Sequence, residues 1–347
     1  VCGPRGRWLA GQNPDWASLQ GQGELDPSLW ETGQSTLRLE WFRQFRQAQP
    51  EAARDLLKQS FSKESADDRS KFLQTFLHGL SLADEPFLEE ALDDRSKGVR
   101  AQAAALLARL PQSGLAQRAW ARVSTWIVEK QVSQWMGLRK ALALEVNLPG
   151  ECTPAMQRDG IEPKSPHREL GERAWWLQQC LAQAPLEGWR AGPAELLHAA
   201  TQGDWAKVLI QGWSQACIAQ QNLPWAEAMI NKGVENDGLF AMLPLARQEE
   251  LLIQQMRPDW LLLHDSKDGL YSPKLSAVLL PWLQKRPTQD YDWSWSKLLA
   301  EVARRLPPTP ETQVEEGWSP KSLGHASVEK LISTVKFRQS MYEEMRS

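Results

Sequence analysis

Residues 67–110 read DDRSKFLQTFLHGLSLADEPFLEEALDDRSKGVRAQAAALLARL, and this stretch decides the fold class. Apolar side chains recur in it at spacings of three and four residues, which predicts amphipathic α-helices that each bury one face. The residues that form these faces are Phe72, Leu73, Phe76, Phe87, Leu88, Val99, Ala103 and Leu106. Pro86 and Pro111 stand where a helix begins and where one stops.

The pentapeptide DDRSK occurs twice in this stretch, at 67–71 and again at 93–97. Asp67 or Asp68 is the predicted N-cap of one helix, Asp84 caps the next, and Ser96 caps a third. Repeated short helix pairs must stack on one another to bury their apolar faces, as in an α-solenoid. The spacing is shorter than the roughly 40–47 residues of HEAT and armadillo units. We therefore predict an all-α, HEAT-like solenoid or superhelix. The alternative explanation is coincidental reuse of good N-cap residues.

Composition divides the whole chain into five segments. Residues 1–34 form an irregular lead-in, 35–146 the HEAT-like helical repeats, 147–170 a Pro-rich loop, 171–306 a second, irregular helical block, and 307–347 a linker and C-terminal helix. Within the repeats, helices are predicted at 115–129 and 132–144. Whether both blocks form one superhelix stays open, as does the oligomeric state.

Charge and composition narrow the class of protein. Lys and Arg number 40 against 43 Asp and Glu, a formal charge of -3, which argues against a dedicated nucleic-acid binder. The 18 Trp residues suit helix junctions and interfaces. The four cysteines are dispersed, which favours reduced and mostly buried thiols. No signal-peptide pattern or long apolar run occurs, so we expect a cytoplasmic protein without a membrane span. The chain begins with Val1 rather than Met, and we expect it to be trimmed.

Ten residues are candidates for contact with a partner. They are Arg5, Arg7, Trp8, Asp94, Arg95, Arg100, Arg158, Asp159, Trp175 and Trp176. Arg5 and Arg7 beside Trp8 could hold a phosphate or an acidic partner. The alternative is a basic terminus anchored by its indole.

The charged candidates in the middle of the chain also have structural explanations. Asp94, Arg95 and Arg100 could form a charged edge of the solenoid, or could bond to neighbouring repeats. Arg158 and Asp159 lie in a Pro-rich loop, where Asp159 and the following glycine also fit a simple turn.

A thiol and an indole pair complete the candidates. Cys152 with His167 would make a conceivable nucleophile and base, although no third member is evident. Adjacent helical residues point about 100° apart, so Trp175 and Trp176 cannot face the same core. One of them is expected at a domain contact or a binding surface.

Motifs for metals and cofactors do not occur. The histidines are isolated, without the spacing that places two on one helix face. Neither a phosphate-binding loop nor a dinucleotide fingerprint is found. We therefore predict no cofactor, no metal site and no catalytic residues.

Several blocks resemble one family. They are 80–89 (LSLADEPFLE), 92–100 (LDDRSKGVR), 5–10 (RGRWLA), 156–161 (MQRDGI) and 171–178 (GERAWWLQ). Together they are similar to a bacterial family catalogued as domain of unknown function 5691. The resemblance implies no established activity and transfers no catalytic residues. Members of that family tend to be encoded near MoxR-type ATPases, von Willebrand A domain proteins and SWIM zinc-finger proteins, which implies a helper or adaptor in such a system.

Three functions compete at this point. The first is a non-enzymatic helical-repeat scaffold or adaptor that binds a protein partner. The second is a nucleic-acid-binding helical-repeat protein of DNA-glycosylase type, suggested by the Trp and Arg content. The third is a cysteine hydrolase that uses Cys152. The absence of a catalytic constellation favours the first.

Overall fold

The computed structural model describes residue 12 and residues 27–134, 139–265, 269–286, 293–309 and 312–345. Arg5, Arg7 and Trp8 therefore lie outside the described residues. The described chain is mostly helical, with one two-stranded sheet. It divides into two compact units, residues 1–220 (unit 1) and 221–347 (unit 2). This division falls inside the predicted second helical block, and the Pro-rich segment 147–170 lies within unit 1.

Unit 1 contains eleven of the described helices and the sheet. In chain order they are α1 (Ser28–Thr32), α2 (Ser35–Ala48), α3 (Pro50–Ser60), α4 (Ala66–Gln74), α5 (Glu85–Ala91), α6 (Lys97–Leu107), α7 (Gly114–Trp126), β1 (Ile127–Gln134), β2 (Arg139–Val146), α8 (Pro154–Arg158), α9 (Glu172–Gln183), α10 (Pro193–Ala200) and α11 (Ala206–Gln220). Short 3-10 turns at Phe61–Lys63, Thr75–Leu77, Leu82–Asp84 and Leu186–Gly188 join some of them.

Unit 2 contains eight described helices. They are α12 (Leu223–Asn231), α13 (Asp237–Met242), α14 (Leu245–Gln254), α15 (Pro258–Leu263), α16 (Pro273–Lys285), α17 (Trp293–Arg305), α18 (Pro320–Leu323) and α19 (Ala326–Glu344). Four of them carry a proline in the first turn, where the missing N–H has no helical partner to lose. Among the described residues, no helix is both long enough and apolar enough to cross a bilayer.

The two DDRSK copies hold different positions relative to their helices. Helix α4 begins at Ala66, and the Ser65 hydroxyl caps it by accepting the N–H of Asp68 at 3.1 Å. Asp67 and Asp68 therefore lie in the first turn, and their prediction as N-caps was wrong. The second copy ends at Lys97, the first residue of α6. Its Ser96 is the N-cap of α6, but the Ser96 side chain makes no capping bond.

The predicted helix at 132–144 was wrong, because this region forms an antiparallel hairpin. Strand β1 pairs with β2 in a register that places Ile127 opposite Val146 and Val132 opposite Ala141. Residues 140–145 (KALALE) are nearly all strong helix formers, so local propensity favoured a helix. Cross-strand pairing and the packing of α10 against β2 override that propensity. The alternation of Leu142, Leu144 and Val146 was the available signal.

A buried ion pair anchors the core of unit 1. The Arg46 side chain is fully buried, and it donates to both carboxylate oxygens of Asp84 at 2.9 and 2.6 Å. Its remaining donors reach the carbonyls of His78, Pro50 and Gly79, so all five guanidinium N–H groups have acceptors. Asp84 sits at the predicted N-cap of α5, but its side chain makes no capping bond to that helix.

Candidate functional site

The Asp159-Gly160 turn is where the sequence-predicted residues converge. The Thr153 hydroxyl caps helix α8 by accepting the N–H of Met156 at 3.3 Å, and the helix ends at Arg158 with Asp159 as its C-cap residue. Gly160 has a φ of +84°, and a Cβ there would lie 2.8 Å from the Cβ of Ala104 on α6. Only glycine fits this close approach and this left-handed conformation, and the turn predicted for this dipeptide is present.

The carboxylate of Asp159 is buried between two arginines of α7. The Asp159 side chain is 1% exposed, and Arg118 donates to it from Nε at 3.0 Å and from Nη2 at 2.7 Å. Arg122 Nη2 reaches the other oxygen at 2.5 Å. The hydrogen bond to Asp159 raises the pKa of Arg118 above its usual value. The carbonyl of Asp159 also accepts from Gln183 at 2.8 Å, which ties α8 to α9.

Arg158 connects the same turn to α5. Its guanidinium donates to both oxygens of Asp93 at 2.8 Å and to Glu89 at 3.3 Å. The hydrogen bond from Arg158 holds the pKa of Asp93 below its usual value. Glu89 also accepts from Arg118 at 3.0 Å. We call Glu89, Asp93, Arg118, Arg122, Arg158 and Asp159 the Asp159 cluster. Its three carboxylates balance its three guanidinium groups.

Asp94 and Arg100 both make bonds to the turn that precedes α6 or to α4. Buried Arg69 of α4 approaches Asp94 to 2.9 Å, and Asp94 accepts the N–H of Ser96 at 2.7 Å. Arg100 donates to the carbonyl of Asp94 at 2.7 Å. Arg95 is exposed.

A small polar cleft separates α6 from the segment that follows the turn. It measures about 240 Å³, and Arg100, Gln157 and Gly160 are among its lining residues. Lys97 and Glu162 form an ion pair at 2.7 Å on its rim. The cleft therefore presents opposite charges side by side on the surface of unit 1.

Trp175 and Trp176 take different environments, as their adjacency in a helix requires. Trp176 is buried, and its Nε1 donates to the carbonyl of Pro163 at 2.8 Å. Trp175 is half-buried and lies edge-on to His167, with ring centroids 5.7 Å apart. Both indoles thus hold the Pro-rich segment against α9.

Cys152 lies in surroundings that oppose a nucleophilic role. Burial raises the pKa of its thiol above the usual value, although Arg122 acts in the opposite direction. Since the thiolate is the reactive form, a raised pKa lowers its population at neutral pH. His167 meanwhile packs on Trp175. Among the described residues, no group of three or more His, Cys, Asp or Glu is arranged to hold a metal ion.

Sequence reasoning missed several of the residues that matter most here. Arg118 and Arg122 lie four residues apart, and that spacing alone places both on one face of α7. The second omission is in unit 2. Phe337, Met341 and Met345 follow the same four-residue spacing, and their side chains are 66%, 46% and 76% exposed.

Fold and site together define a mostly helical protein whose first unit is braced by buried and half-buried arginine–carboxylate pairs. A family model described as "Family of unknown function (DUF5691)" matches residues 1–345, and the chain belongs to this family. No curated protein and no solved structure matches the chain.

Proposed function

We propose that the chain is a non-enzymatic helical-repeat scaffold or adaptor that binds a protein partner through α19. The observation that carries this proposal is an apolar stripe on the outside of that helix. Val328, Leu331 and Val335 are buried on one side of α19. Phe337 lies two residues beyond Val335, about 200° around the helix axis, and it is 66% exposed.

The stripe has the size and composition of a docking element. Phe337 and Met341 lie on α19 and Met345 is its C-cap residue. The three residues span nine positions, a rise of about 12 Å along the helix axis. Aromatic residues and Met are enriched at the centres of protein interfaces, and an apolar helix face commonly inserts into a groove of its partner. The occupant we propose is an apolar groove on a protein partner that receives these three side chains.

The helical packing of unit 1 supports the scaffold part of the proposal. Helices packed against near neighbours in sequence include the pairs α2 with α3, α5 with α6, α6 with α7, and α7 with α9. Such near-neighbour packing is the pattern of a repeat array. The proposed architecture is HEAT-like, with DDRSK copies that have diverged in their position relative to the helices.

The proposed setting follows from the family resemblance and from the thiols. The MoxR-type ATPase or the von Willebrand A protein encoded near family members is the partner to be tested first. We place the adaptor in the cytoplasm, where the buried thiols of Cys180 and Cys217 would stay reduced.

Titration calorimetry with each purified candidate partner tests this function. The variant Phe337→Ser/Met341→Ser should weaken binding by at least about tenfold, since interface anchors cost more than 1 kcal/mol each when truncated. Leu77→Ser is the matched control, because Leu77 is 50% exposed and lies in unit 1. It should bind as the parent chain does.

Two results would overturn the proposal. If the stripe variant binds a partner as tightly as the parent chain, α19 is not the docking helix. If neither candidate binds the parent chain, the assignment to that ATPase system fails. Circular dichroism should show the same helix content in all variants, because the substituted side chains are exposed.

A further inference from the structure

Unit 2 contains a cleft that the adaptor function does not use. It lies between α16 and the described residues 307–309 and 312–317, and its volume is about 750 Å³. That volume is within the range of roughly 300–1,000 Å³ that is usual for small-molecule sites. Apolar atoms provide most of its lining surface, and five of its twelve described lining residues are apolar: Pro273, Ala277, Leu280, Pro281 and Pro307. The polar ones are Ser276, Gln284, Thr309, Thr312, Gln313 and Glu316. Among the described lining residues there is no Lys, Arg or His, so the cleft offers no counter-charge to an anion.

The wall opposite α16 is held in place by side-chain hydrogen bonds. Gln339 of α19 donates to the carbonyls of Thr309 and Thr312 at 2.8 and 3.1 Å. Gln284, near the end of α16, donates to the carbonyl of Glu316 at 2.6 Å and links the two walls. The cleft is therefore formed before any ligand arrives, which lowers the entropic cost of binding.

One buried hydroxyl in this cleft has no partner. Ser276 is 6% exposed, it lines the cleft, and its Oγ makes no hydrogen bond with the described residues. A buried hydroxyl without a partner is costly. A ligand group in the cleft would supply the missing bond.

The backbone carbonyl of the next residue, Ala277, also lacks its usual helical hydrogen bond. Pro281 lies inside α16 and has no N–H to donate to the carbonyl of Ala277, four residues earlier. Both Pro281 and Ala277 line the cleft. Ser276 and Ala277 together therefore present a hydroxyl that donates or accepts and a carbonyl that accepts.

We propose that this cleft binds an uncharged, mainly apolar small molecule that carries a carboxamide or an equivalent donor–acceptor pair. The amide N–H would donate to the Ala277 carbonyl, and the amide oxygen would accept from the Ser276 hydroxyl. The apolar body of the ligand would lie on Leu280 and the prolines. A carboxylate would meet the carbonyl oxygen without a compensating cation and would be rejected.

Three probes of nearly equal shape test this chemistry on the full chain. They are cyclohexanecarboxamide, methyl cyclohexanecarboxylate and the cyclohexanecarboxylate ion, with binding measured by ligand-observed NMR titration. The amide should bind about tenfold more tightly than the ester, as expected for one additional hydrogen bond. The ion should show no saturable binding.

Variants on α16 show whether the probes occupy this cleft. Ser276→Ala should weaken the binding of amide and ester alike by about threefold to tenfold and keep the amide preference, because both probes accept from the Ser276 hydroxyl and only the amide N–H donates to the Ala277 carbonyl. Ala277→Phe should abolish binding, since Ala277 is exposed and its new ring would fill the cleft. Val278→Phe is the control, because Val278 is exposed but does not line the cleft. It should leave binding unchanged. Equal binding of amide and ester to the parent chain, no saturable binding of any probe, or full binding by Ala277→Phe would each overturn the proposal.

Discussion

Replacing Asp159 by Asn tests whether the Asp159 cluster braces unit 1. The substitution keeps the shape of the side chain but removes the charge that Arg118 and Arg122 approach at 2.7 and 2.5 Å. The loss of this charge is most costly for Arg122, because its side chain is only 17% exposed to solvent. Its Nη1 is already buried without a hydrogen-bond partner among the described residues. Breaking a buried pair by removing one partner costs about 3–5 kcal/mol.

The lower end of that range applies here. The Arg118 side chain is 37% exposed, so water can solvate it, and it keeps its bond to Glu89. We expect Asp159→Asn to lower the free energy of unfolding by about 3 kcal/mol, on the order of a 100-fold change in the folding equilibrium. The matched control is Asp93→Asn, since the Asp93 side chain is 61% exposed and exposed pairs contribute less than about 1 kcal/mol.

Urea denaturation followed by circular dichroism measures both variants. Hydrogen exchange of peptides from α7 and α9 assigns the transition to unit 1. A shift for Asp159→Asn no larger than that for Asp93→Asn would refute the reasoning, because the burial of Asp159 would then contribute nothing beyond a surface pair.

Three further predictions follow from single positions. Gly160→Ala should lower the free energy of unfolding, measured by urea denaturation, by about 2 kcal/mol or more, because Gly160 has a φ of +84° and lies close to α6. The control is Gly150→Ala, where no atom lies near the Cβ position. It should change the free energy of unfolding by less than about 0.5 kcal/mol. Burial raises the pKa of Tyr271 to about 12, so its contribution to stability is present below the ordinary pKa of about 10 and is lost as pH rises towards 12. The melting temperature should fall less between pH 10 and pH 12 for Tyr271→Phe than for the parent chain. An equal fall in both proteins would contradict this prediction. Burial raises the pKa of the Cys180 thiol to about 12. Iodoacetamide should therefore label half-buried Cys152 well before Cys180, as measured by mass spectrometry. Faster labelling of Cys180 would contradict its burial in the core.

Local pattern in the sequence was sufficient to locate most helices of the first half. The stripes after residues 35, 50, 66 and 97 correspond to α2, α3, α4 and α6, because helical periodicity reports which face is buried regardless of what covers it. The turn at Asp159 and Gly160 was also predicted, since it depends on two adjacent residues.

The hairpin at β1 and β2 could not be predicted in the same way. Residues such as Ala141 and Leu142 favour a helix by themselves, and only their cross-strand partners Val132 and Gln131 make them a strand. Strand pairing depends on two segments at once, so the helix preference of one segment alone led to the wrong assignment of this region.

By itself the sequence determined a largely helical chain, the positions of most helices in its first half, and the charged and aromatic residues from which a site could be built. Only the tertiary structure decided how those residues are used. Arg118 and Asp159 are 41 residues apart, and Arg158 and Asp93 are 65 apart. These charged residues form a buried cluster only when folding brings them within 3 Å of one another and removes the water between them. The same is true of α19, where packing of one face determines that Phe337 is left exposed on the other.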